Sequence, residues 1–192
     1  MTKRISEAII DSIELKQKIL NDKFLLETID KVVDICTNCL KKGGKILFCG
    51  NGGSAADAQH LAAELSGRFY YDRDPLFAEA LHVNTSYLTA VANDYSYDEI
   101  FARLVKAKGR GGDVIIGIST SGNSINILKA FDMAKKQKMI TIGMSNQTGG
   151  KMLDSCDFLL KMPSLDTPRI QEAHILVGHI ICELIEKNIF PK

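Results

Sequence analysis

From Ile5 onward apolar residues recur every three or four positions: Ile5, Ile9 and Ile13, then Phe24, Ile29, Val32, Val33, Ile35 and Leu40. That is the helical period, and it predicts two helices over residues 5–41, ended by Gly43-Gly44. The pattern then changes. Short apolar runs stand at 45–50 (KILFCG), 78–83 (AEALHV), 113–118 (DVIIGI), 139–144 (MITIGM) and 156–162 (CDFLLKM), with helical stretches between them. Runs of that length separated by helices predict an α/β, doubly wound fold with a mainly parallel five-stranded sheet covered on both faces. A last helix is predicted from Thr167-Pro168, proline suiting a first turn, to about Ile189. It is apolar round much of its circumference, more than one sheet face would cover. A subunit interface would account for that, and so would burial within one chain.

Length and composition add limits. The 192 residues, 45% apolar and 24% charged, suit one soluble globular domain spanning 1–192. Within it residues 1–42 form the helical pair expected to serve oligomerisation, and 43–192 form the α/β core with the C-terminal helix. A net charge of +1 argues against broad attraction to nucleic acid or membrane, so any phosphate site must be local. The start, MTKRISEAIIDSIELKQ, lacks a long apolar segment, which makes a cytoplasmic location the expectation. Five cysteines scattered through apolar surroundings read as reduced thiols. Cys36 and Cys39 form a C-x-x-C, but it falls mid-helix and no second pair completes a zinc site.

Chemistry concentrates at two strand ends. CGNGGSAADAQHLAAEL follows the first strand and ISTSGNSINILKAF the third, each a glycine-rich polar turn opening a helix. Backbone N–H groups at such a junction favour an anion, and Ser119, Thr120, Ser121 and Ser124 add hydroxyl donors without bulk. Serine and glycine also cap helices and make turns, but two such loops at successive strand ends favour a ligand crevice. Neither loop is a known nucleotide motif, which leaves a small phosphorylated metabolite. On the helix after NGGS, His60 and Glu64 are four residues apart and share a face, able to hold a divalent metal or to pair a base with an imidazole. Gln171, His174 and His179 interrupt the apolar final helix; His179, within ILVGHIIC, is either a hydrogen-bonded core histidine or a functional one. His82 reads as a strand-end residue, and Asn93-Asp94 as a loop pair.

Taken together, CGNGGSAADAQHLAAELSGRF, VANDYSYDEIFAR, GDVIIGISTSGNS and RIQEAHILVGHI resemble the phosphoheptose isomerase family of the SIS (sugar isomerase) domain superfamily, over nearly the whole chain and in the same order. The resemblance implies a flavodoxin-like α/β sandwich assembled as a homotetramer with active sites between subunits. It implies conversion of D-sedoheptulose 7-phosphate to D-glycero-D-manno-heptose 7-phosphate through an enediol. Asn51, Gly52, Gly53, Ser54, Glu64, Asn93, Asp94, Ser119, Thr120, Ser121, Ser124 and Gln171 would contact substrate, with Glu64 and His179 the acid/base pair. His60, Glu64, Gln171 and His179 would ligate Zn2+, one per subunit, which as a Lewis acid would polarise the sugar carbonyl. One departure is Pro168, where family members carry Ala or Asp. The spacing of Gln171 and His179, eight residues or about 12 Å along a helix, suggests a site completed by a neighbouring subunit. The rival reading is an adaptor of the same fold that binds the replication initiator DnaA; that relative lacks the glutamate and final histidine present here.

Overall fold

Asp22 divides the N-terminal helical stretch in two. A computed structural model describes residues 2–192, and in it α1 spans Thr2–Asn21 and α2 Lys23–Lys41. The Asp22 carboxylate accepts the Leu25 N–H at 3.0 Å, capping α2 where an aspartate satisfies an otherwise orphaned donor. Only Leu15 and Ile19 of α1 are buried, whereas α2 buries nine residues.

The five strands are β1 (Ile46–Gly50), β2 (Ala78–Ala80), β3 (Val114–Ile118), β4 (Ile140–Asn146) and β5 (Phe158–Met162). They pair in the order β2-β1-β3-β4-β5, every neighbour parallel. The sheet is therefore wholly parallel, with five strands as the apolar runs predicted. Its register sets Ile46 beside Val114 and Gly50 beside Ile118, so β1 and β3 end level with one another. Between them run α3 (Gly53–Ser66), α4 (Thr85–Asp94), α5 (Ile100–Lys108) and α6 (Ile125–Lys136), and α7 (Thr167–Ile189) closes the chain.

The 78–83 run is shorter as a strand than its apolar pattern predicts. β2 lies at the sheet edge, one further bond (Leu81 N–H to the Phe48 carbonyl, 2.9 Å) extends the ladder, and Asn84 then caps α4. Alternation along β1 divides the core. Ile46 and Phe48 pack with α1, α2, α3 and α7, while Leu47 and Cys49 pack with α4, α5 and α6. α3 and α6 thus lie on opposite faces, as right-handed crossovers demand when β1 leads outward to β2 and β3 leads the other way to β4. The strand order reverses between β1 and β3, and a ligand crevice belongs at such a switch point. At the far, N-terminal ends of these strands Lys45 Nζ lies 2.6 Å from a buried Asp113 carboxylate. Among the described residues no helix is long and apolar enough to cross a membrane.

Candidate active site

The two polar loops leave the sheet side by side at the switch point. After β3, Ser119 is buried; its hydroxyl lies 2.8 Å from that of Ser124 and 3.4 Å from that of Ser121, while Thr120 is half-buried beside them. Ser124 occupies the N-cap position of α6, yet its hydroxyl turns to Ser119 and makes no capping bond. The serines therefore do not merely cap. The Ile127 N–H turns back to the Ser124 carbonyl at 3.1 Å, which leaves the Ile125 and Asn126 N–H groups at the start of α6 for an anion, with hydroxyls clustered at the same point. Gly122 makes this turn possible at φ +67°, where a side chain would also sit 2.1 Å from the Gly149 carbonyl. The Gly122 carbonyl and the Asn123 amide oxygen accept the backbone N–H groups of Met152 and Lys151, buttressing the loop from behind.

After β1 the chain turns through Asn51 and Gly52, the latter at φ +55° as the N-cap of α3. Asn51 exchanges two side-chain hydrogen bonds with buried Asn126, at 3.0 and 2.9 Å, and accepts the Tyr97 hydroxyl at 3.1 Å. This amide pair ties the first loop to the helix that follows the second. Ser54 is buried in the first turn of α3, and a side chain on Gly53 would meet the Gln171 amide at 2.4 Å. Gln171 thus stands over the start of α3. Asn93 and Asp94 are not in a loop, contrary to expectation: they form the last turn of α4, exposed, with the Asn93 amide donating to the Asp94 carboxylate at 2.9 Å. Tyr97, three residues on, brings this segment against Asn51.

Further along α3, His60 and Glu64 face His179 on α7. The His60 Nε2 lies 3.1 Å from Glu64 Oε1 and 2.8 Å from His179 Nε2. The two helices approach closely because residue 178 is glycine; a side chain there would press into Leu61 at 2.6 Å. One imidazole nitrogen carries either a proton or a lone pair, so His60 Nε2 cannot satisfy both contacts. Three donor atoms, all within 4.8 Å of one another, are aimed at one spot. Tetrahedral zinc with bonds of about 2.0–2.1 Å would set its ligand atoms about 3.3 Å apart. The arrangement fits a divalent ion. One chain brings together three of the four expected ligands, and Gln171 stands about 12 Å up α7 from His179, beside the glycine loop.

Burial sorts the remaining titratable groups. His174 is the core histidine of α7: wholly buried, its Nε2 3.3 Å from the Ser145 carbonyl and its Nδ1 without a partner, it has its pKa pushed down by burial to about 4. His82 stands half-buried just beyond β2, with burial lowering its pKa. Asp57, one turn before His60, is raised to about 6 by burial, against the opposing pull of His60. All five cysteines are free thiols, and Cys36 lies wholly buried within α2. Asn126 and Tyr97 escape sequence reasoning. The signal for Asn126 is a polar residue at the apolar start of α6; for Tyr97 there is none.

Residues 9–146 match the SIS domain family. The phosphoheptose isomerase of Clostridium acetobutylicum is 54% identical over 186 residues, covering 97% of this chain and 95% of that protein. That of Aneurinibacillus thermoaerophilus is 51% identical over 190 residues, 99% and 96% of the two chains. The solved phosphoheptose isomerase of Neisseria gonorrhoeae superposes with a TM-score of 0.90 at 43% identity, over 97% of this chain and 98% of that one. With such identity sustained over nearly its full length, this chain belongs to the SIS domain family and, within it, to the phosphoheptose isomerases.

Proposed function

We propose that the protein is an aldose–ketose isomerase converting D-sedoheptulose 7-phosphate to D-glycero-D-manno-heptose 7-phosphate, the entry to nucleotide-activated heptose. The observation that carries this reading is the convergence of His60, Glu64 and His179 on helices that start beside an anion crevice. The reaction moves one hydrogen from C1 to C2 and one proton from O1 to O2. Glu64 takes the C1 proton, leaving an enediol, and returns a proton to C2. His179 relays the proton between the two oxygens. Ser119, Thr120, Ser121 and Ser124, with the free N–H groups of α6, hold the phosphate; Asn51, Gly52, Gly53, Ser54, Asn93, Asp94 and Gln171 contact the sugar. These anchoring groups act on binding, whereas Glu64 and His179 act on turnover.

His60, Glu64, Gln171 and His179 would hold zinc, which supplies Lewis-acid polarisation of the carbonyl. Glu64 bound to a cation is a weaker base, so its two roles compete.

Two features support a homotetramer with shared sites. Glu64 lies eleven residues beyond Gly53, about 16 Å along α3, further than an extended heptose would span from a phosphate held at the same chain's loops. Ile5, Ile9, Ile10 and Ile13 of α1 are each half-exposed or more, an apolar row suited to a second copy. Residues 1–42 then serve assembly and 43–192 the catalytic core, in the cytoplasm where sugar phosphates are handled. An adaptor for a replication initiator would have no use for three converging donors.

The test is incubation of the purified protein with sedoheptulose 7-phosphate, with and without a chelator, followed by NMR. Aldose signals are expected from the metal-replete protein and loss of rate on chelation. Absence of conversion by the metal-replete protein overturns the reading.

A further inference from the structure

Arg73 and Glu186 are a fully buried ion pair away from the converging donors, with side chains 2% and 0% exposed. Arg73 spends its donors on the end of α3. Its Nη2 donates to the carbonyl of Glu64 itself at 3.0 Å, and its Nη1 to those of Leu65, Gly67 and Asp74 at 2.8, 3.0 and 3.0 Å. These include the last-turn carbonyls a helix leaves unpaired, and a cation there also suits the helix dipole. The Arg73 Nε donates to Glu186 Oε1 at 3.0 Å. Glu186 also accepts the backbone N–H groups of Phe69 at 3.0 Å and Tyr70 at 2.8 Å. Burial opposes its ionisation, but those N–H groups and the guanidinium outweigh it and hold the carboxyl below its ordinary range.

The pair reaches both halves of the site. Glu186 is seven residues beyond His179, on the same face of α7 two turns on. By fixing the Phe69 backbone it sets the Phe69 ring against the His179 ring, centroids 5.8 Å apart. Arg73, through the Glu64 carbonyl, fixes the turn of α3 that carries Glu64. We propose that Arg73 and Glu186 form a positioning clamp that sets Glu64 and His179 against one another for turnover. The clamp rests on the assignment of Glu64 and His179 made above. Neither clamp residue touches the reacting atoms.

Arg73→Lys keeps the charge but cannot span Glu186 and several carbonyls, since an ammonium is a point donor and a guanidinium a planar fork. Glu186→Gln keeps the shape and loses the pair. Both variants are compared with wild type well below their melting temperatures, by steady-state kinetics on sedoheptulose 7-phosphate and by imidazole NMR of His60 and His179. The expected result is a kcat lower by about 10- to 100-fold, because displacements near 1 Å cost rates of that order. KM stays within about twofold, since the phosphate loops are untouched, and the imidazole signals shift. Asp113→Asn, which weakens the distant Lys45 pair, should lower the melting temperature and leave kcat alone. Unchanged kcat and imidazole signals in whichever clamp variant folds, or an equal kcat loss in Asp113→Asn, overturn the clamp. A Glu64→Gln protein run alongside that keeps its turnover removes Glu64 from its role instead. The imidazole signals then still decide whether the clamp positions His179.

Discussion

His174 and His179 stand five residues apart on one helix in opposite circumstances. Both interrupt the same apolar sequence, and periodicity cannot say which is functional. Burial does: His174 is enclosed beneath Ser145, whereas His179 faces His60 and Glu64. The difference has a pH signature. The folded pKa of His174, about 4, lies below the ordinary value of 6.5, so between those values the unfolded chain binds the extra proton. The stability that His174 contributes is full above pH 6.5 and is lost as pH falls toward 4, by about 2 kcal/mol between pH 7 and pH 5. Asp57, raised to about 6, works in the opposite sense, so the comparison is between variants. Chemical denaturation of wild type and His174→Gln at both pH values should show a smaller acid-induced loss in the variant. Equal losses would mean that His174 protonates freely in the folded protein.

At the scale of elements, strand number, strand order of appearance and both helical ends were legible, because continuous apolar runs and a 3.6-residue period are each tied to one kind of element. Less legible was where an element stops. β2 ends after three residues because Asn84 begins a helix, and Asn93-Asp94 complete that helix although as residue types they suggest a loop. The pairing of α3 with α7 was also invisible, since it depends on Gly178 admitting Leu61 rather than on any motif. Gly178→Ala isolates that contact. Alanine favours a helix by about 1 kcal/mol over glycine, but its methyl would lie 2.6–3.1 Å from three Leu61 atoms. Overpacking of that kind costs about 1–3 kcal/mol. A lowered melting temperature and weakened turnover are expected from the separation of His179 from His60; an unchanged or raised melting temperature would show that the helices have room to spare.

For the whole molecule, the candidate site was legible as a set of residues but not as a place. The loops, His60, Glu64 and His179 all stood out by type and spacing. Three donors converge within one chain while Gln171 and the phosphate loops lie at the other end of α3, and sequence spacing only hinted at that through the distance from Gln171 to His179. In the proposed assembly a neighbouring subunit would bridge that separation. Ile9→Glu with Ile13→Glu places two charges on a face whose side chains are 56% and 59% exposed, so the protomer fold should survive. Light scattering should report a smaller particle, and activity should fall by more than about tenfold. An unchanged mass would remove α1 from the interface.

If Glu64 moves the carbon-bound proton, turnover of sedoheptulose 7-phosphate must depend on its carboxylate, and Glu64→Gln removes that group. The amide keeps the shape and loses the base. Turnover lower by about a thousandfold, with binding of the sugar phosphate retained by calorimetry, is the result predicted. Near-normal turnover in that variant would contradict it.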